Sequence, residues 1–77
     1  MAELPRDVGR IESGGRTYLV QRDEKAGTAW AVGPLPDGPL AYLRPVEGTE
    51  VEAQKDEEAV RKVRVALEAL RAPRHPG

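Results

Sequence analysis

The chain has 77 residues, enough for one small core and too few for two lobes with a deep cleft between them, which lowers the case for an enzyme. It has no cysteine, so disulfide staples and thiolate metal sites are excluded. The formal net charge of -1, from 12 basic and 13 acidic residues, lacks the basic excess of a strong nucleic-acid binder.

The first residues, Met1-Ala2-Glu3-Leu4-Pro5-Arg6-Asp7, contain no apolar run of the kind a secretory leader needs, and no stretch approaches the length of a membrane span. A soluble, cytoplasmic single domain over 1–77 is therefore expected, with 1–7 and 73–77 flexible. Residues 8–12 read as a short first strand. Ser13-Gly14-Gly15 supplies residues that tolerate positive φ, as a tight hairpin turn demands. The clearest strand follows over 16–22, rich in β-branched and aromatic residues. Its alternation sets Tyr18 and Val20 on one side and Thr17, Leu19 and Gln21 on the other.

Asp23-Glu24-Lys25-Ala26-Gly27 reads as the next loop, and 28–33 as a strand in which Thr28, Trp30 and Val32 share a face. Pro34-Leu35-Pro36-Asp37-Gly38-Pro39 is too rich in proline for regular structure, and it presents Leu35 as an exposed apolar loop tip. A further strand is expected over 40–44, stopped by Pro45. Residues 49–53 alternate with period two, although Thr49 and Glu52 also have the spacing of a capping box. Helical periodicity arbitrates. Val60, Val63, Leu67 and Leu70 fall on one face, flanked by Ala59 and Ala66, and the stripe is clean only from about residue 57. The spacing thus predicts a strand over 49–53 and a helix over 56–72 with Asp56 as its N-cap, ended by Pro73 and Pro76. Glu57 with Arg61, Glu58 with Lys62 and Arg64 with Glu68 have i,i+4 spacing.

The fold expected is α+β: a three- to five-stranded antiparallel β-meander with one C-terminal amphipathic helix. Five short strands also suit a small SH3-like barrel carrying a C-terminal helix.

Few residues have the makings of chemistry. His75, the only histidine, sits in a proline-rich tail without co-ligands, and Ser13, the only serine, has no histidine near it in the chain. Gly14-Gly15 lacks the flanking pattern of a phosphate loop. The acidic run Glu47, Glu50, Glu52, Asp56, Glu57 and Glu58 has no calcium-loop pattern and reads first as a solvated face, then as a patch for a basic partner. Arg61, Arg64 and Arg71 line one side of the helix, with Lys62 further round and Arg74 beyond its end, and form a candidate phosphate-contacting edge. Tyr18, Trp30 and Tyr42 lie one on each of three expected strands, 16–22, 28–33 and 40–44. With no Phe in the chain they are expected to build the core, the other reading being an exposed binding platform.

Tyr18-Leu19-Val20-Gln21-Arg22-Asp23-Glu24, a glycine-containing turn, Trp30-Ala31-Val32, Pro34-Leu35-Pro36 and then Asp56-Glu57-Glu58-Ala59-Val60 opening an amphipathic helix resemble the HicB-type antitoxin domain. The resemblance spans residues 18–70 and implies a short sheet with a packed helix that neutralises a small RNA-cleaving toxin. Pro36-Asp37-Gly38-Pro39 stands where that family has a Pro-Gly-Cys-like element, and an extra strand-like segment, 40–45, precedes the helix. No site residue is carried over.

The function expected is a small non-catalytic protein-binding module, a regulator or inhibitor of a larger protein, with Glu47, Glu50, Glu52 and Leu35 as contact candidates. The alternative is a nucleic-acid-binding domain or antitoxin-like transcriptional regulator using Arg61, Arg64 and Arg71. No cofactor or metal is expected. Another protein is the first partner, nucleic acid the second, and a membrane is not one. A homodimer through an unpaired strand edge is a further arrangement the sequence allows.

Overall fold

A computed structural model of the protein describes residues 5–35 and 43–71, Arg71 by its backbone. Within them the chain is α+β. Four strands, β1 (Arg6–Ser13), β2 (Arg16–Asp23), β3 (Thr28–Val32) and β4 (Val51–Glu52), form one antiparallel sheet in the order β1-β2-β3-β4, and helix α1 (Asp56–Arg71) packs on one face of it. The sheet stays open, with β1 and β4 as its edges, so the barrel arrangement is not the one adopted.

The β1–β2 turn forms as its sequence dictates. Gly14 and Gly15 both have positive φ, 63° and 76°, the geometry that lets a two-residue turn follow the twist of its strands. Strand β1 begins at Arg6, inside the lead-in expected to be flexible, because Arg6 and Asp7 already pair with Arg22 and Gln21. The register then shifts between Asp7 and Gly9, which leaves Val8 as the extra residue of a bulge.

Alternation sorts the two faces. Ile11, Tyr18, Val20, Ala29 and Ala31 point toward α1 and build the core with Ala53, Ala59, Val63 and Leu67. Small residues on β3 let the helix lie close, and Gly9 does the same on β1. A Cβ there would stand 2.7 Å from Val60 Cγ2. The buried helix stripe is thus Ala59, Val63 and Leu67, whereas Leu70, expected in it, is 52% exposed. Leu70 lies beyond the sheet, against the Glu47-Gly48 turn, where it would meet a Cβ on Gly48 at 3.2 Å.

The fourth lane of the sheet differs most from expectation. The segment expected as a strand over 40–44 falls partly outside the described residues. Leu43 and Arg44 are not strand, although Gly33 N–H donates to the Arg44 carbonyl (3.2 Å) and Pro45 bridges Val32. Val46 N–H donates to Ala31 O (2.8 Å), and Ala53 N–H to Gly27 O (2.9 Å). One interrupted lane, 44–53, therefore runs beside β3 in place of two strands. Residues 47–50 leave it, and Thr49 closes the gap. Its hydroxyl, wholly buried, accepts from Ala31 N–H (3.0 Å) and donates to Val46 O (2.7 Å). The capping-box spacing of Thr49 starts no helix, because this hydroxyl replaces a missing strand partner.

Helix α1 begins at Asp56, as its sequence predicts. The Asp56 carboxylate, expected as N-cap, accepts instead from Arg22 Nη1 (3.1 Å) and Arg6 Nη2 (3.3 Å). The carboxylate that reaches back is Glu58, whose Oε1 accepts from Gln54 N–H at 2.7 Å and satisfies a donor ahead of the first turn. That bond holds the Glu58 carboxyl below the ordinary glutamate range. Partial desolvation opposes it, and the charges of Lys62 and Arg61 assist it. Of the three i,i+4 pairs the sequence offers, Glu58–Lys62 closes, at 3.7 Å.

Candidate functional site

The excursion at residues 47–50 creates a recess of about 310 Å³ on the β4 edge. Trp30, Pro45 and Val46 supply its apolar lining, and Glu47, Gly48 and Glu50 its polar rim. Thr49 and Gly48 shape it: the first pins the loop to β3, and the second turns the chain at a φ of 87°. Glu47 and Glu50 are exposed and have no ion-pair partner within 4 Å among the described residues. Two carboxylates beside an indole favour a cation, since carboxylates attract it through charge and the ring through its negative face.

Trp30 corrects the expected aromatic core. Its neighbours Ala29 and Ala31 point to α1, so Trp30 faces the other side of the sheet, half-buried, with Val32 and Leu19 on the same face. Its Nε1 is buried, with no hydrogen-bond partner among the described residues. Tyr18 alone of the three aromatics is seen in the core, and Tyr42 lies outside the described residues.

The acidic run separates into different roles. Glu52 is exposed on β4, where its carbonyl accepts from Lys62 Nζ at 2.9 Å. Asp56 and Glu58 are held by Arg22, Arg6, Gln54 and Lys62, Glu57 lies at the groove between β1 and α1, and Glu47 and Glu50 come together at the recess. Leu35 is half-buried, and its N–H donates to Thr17 O at 2.8 Å. It is tied to the start of β2 and does not stand out as an exposed tip.

The arginines expected on one helix edge lie at a second concavity. A groove of about 550 Å³ runs between β1 and α1, with Val8, Gly9, Val60 and Val65 among its apolar lining and Arg61 and Arg64 on its helix side. Arg71 is the last residue of α1, and the side chain is outside the described part. Arg74 and His75 also lie outside it.

One polar cluster went unread in the sequence. Arg22 follows Tyr18 and Val20 on the buried face of β2 and is only 8% exposed. Its guanidinium donates to Ala53 O (3.4 Å), Gln54 O (2.6 Å) and Asp56 Oδ1 (3.1 Å), and so ties the sheet to the start of α1. Arg6 and Glu24 complete the ion-pair cluster. The alternation Tyr18, Val20, Arg22 carried the signal, since a charge in that phase needs partners.

Compared with family models, curated proteins and solved structures, the chain matches none. Among the described residues no helix is long and apolar enough to cross a membrane.

Proposed function

We propose that this chain is a non-catalytic protein-binding module, a small regulator or inhibitor that engages a basic side chain of a larger protein at the Trp30 recess. The observation behind the reading is the placement of Glu47 and Glu50, both without ion-pair partners among the described residues, on the rim beside Trp30. An arginine from a partner protein would meet the indole and both carboxylates together, and its apolar stem would cover Pro45 and Val46. The resemblance to HicB-type antitoxins, which act by binding a protein, agrees with such a role.

Trp30 is the only tryptophan, so its emission reports on the recess. An arginine-containing peptide is expected to change that emission saturably, and its glutamine counterpart to leave it unchanged. Glu47→Lys/Glu50→Lys is expected to abolish the response. A response that survives the reversal, or none with any arginine peptide, removes the reading.

Nucleic acid is the second partner class, as in an antitoxin-like transcriptional regulator. The exposure of Arg61 and Arg64 favours it. It requires affinity for an oligonucleotide that falls steeply with salt.

A further inference from the structure

The groove between β1 and α1 has three properties that together select an occupant. Strand β1 is an edge of the sheet, so among the described residues no strand pairs with its outer side. The groove is lined by Val8, Val60 and Val65, and Val65 is 63% exposed. The charge around it is unbalanced. Arg10, Arg61 and Arg64 are exposed with no carboxylate within 4 Å among the described residues, whereas of the two carboxylates present Asp56 already serves Arg22 and Arg6. Within the groove lining that leaves Glu57 as the one uncommitted carboxylate against three arginines.

We propose that this groove takes an acidic extended peptide segment of a partner protein, added to the sheet as a strand alongside β1. Backbone hydrogen bonds to the edge would set its direction, and alternate side chains would reach opposite faces. Toward the helix, an apolar side chain meets Val60 and Val65, and carboxylates meet Arg61 and Arg64. Toward the other face, where Arg10 lies across from Leu19 on β2, a carboxylate meets Arg10. The bulge at Val8 confines regular pairing to Gly9–Ser13, so the segment is short.

Two other occupants fit less well. A nucleic acid would place phosphates over a valine floor, and no aromatic side chain lines the groove to stack a base. A second copy docked edge to edge would gather Arg10, Arg61 and Arg64 of both chains around the symmetry axis, like charge against like.

The test uses a synthetic peptide of alternating glutamate and valine, about as long as β1, and its lysine–valine counterpart. The acidic peptide is expected to bind and to slow hydrogen exchange of the amides of 9–13. Arg61→Glu/Arg64→Glu is expected to weaken it by about tenfold or more, from two exposed attractions turned to repulsions. A matched reversal elsewhere on the surface, Lys25→Glu/Arg44→Glu, is expected to leave binding unchanged. Urea midpoints within the error of the unmodified chain establish that the variants are folded. Equal binding of the lysine peptide overturns the proposal, as does unchanged affinity in Arg61→Glu/Arg64→Glu. Binding without protection of 9–13, displacement of the peptide by oligothymidylate at lower concentration, or a doubled mass abolished by the same reversal would also overturn it.

Discussion

Thr49→Val removes one hydroxyl and almost no volume. The hydroxyl serves two backbone groups, but their losses differ. Val46 O keeps a second donor, the Thr49 N–H at 3.3 Å, whereas the Ala31 N–H has Thr49 Oγ1 as its partner on the β4 side. Ala31 is wholly buried, so water does not replace the lost acceptor. The cost is therefore that of one unsatisfied buried donor, about 1–3 kcal/mol. In a domain of this size each kilocalorie moves the melting temperature by about 4–8 °C. Urea unfolding followed by Trp30 emission and by far-ultraviolet circular dichroism measures the loss. Thr49→Ser keeps the hydroxyl and loses one methyl, about 0.8 kcal/mol of buried apolar group, and is expected to fall between the two. A Thr49→Val protein within about 0.5 kcal/mol of the unmodified chain would refute the role given to this hydroxyl.

The remaining predictions concern the helix and its attachment. Gly9→Ala forces a Cβ against the stiff Val60 side chain and is expected to destabilise by about 1–3 kcal/mol, with Val60→Ala in the same chain recovering part of the loss. Two losses that simply add would show that the two residues do not touch. Arg22→Lys keeps the charge but not the planar fork that reaches Ala53 O, Gln54 O and Asp56 together, and is expected to cost about 2–3 kcal/mol in urea unfolding. A neutral outcome would mean that charge alone holds the junction. Glu58→Gln tests the lowered carboxyl. A folded-state pKa below the unfolded one stabilises fully above the unfolded value, and the contribution is lost as pH falls through the folded value. The difference between Glu58→Gln and the unmodified chain is thus expected to be largest near neutral pH and to vanish in acid. A gap that is constant with pH, or that widens in acid, would contradict it.

Much of this architecture was legible in the sequence, for identifiable reasons. The strand over 16–22 alternates cleanly, the glycine pair marks its turn, and the helix from 56 shows its period once the acidic first turn is past. What was missed depends on contacts distant in sequence. Leu70 has the right phase for the core, but the helix outruns the sheet there. Thr49 belongs to a segment that the spacing assigns to a strand, but the part its hydroxyl plays shows only once Ala31 is placed opposite it. Trp30 has the bulk of a core residue, yet its two alanine neighbours decide which face meets the helix. Of the site, Glu47 and Glu50 could be named from sequence but not their company with Trp30, and Arg61 and Arg64 could be named but not the valine floor between them and β1.

The two irregular edges bear on self-templating. β1 and β4 run in opposite directions, so a neighbouring copy translated within the sheet plane could extend the same antiparallel ladder without end. The extra residue at Val8 interrupts the template on one side, and the detour of 47–50 leaves only Val51–Glu52 as regular strand on the other. Neither edge offers a long, flat row of backbone groups. Regular pairing at either edge is confined to a short stretch, and that shortens the template which an endless stack of copies would need.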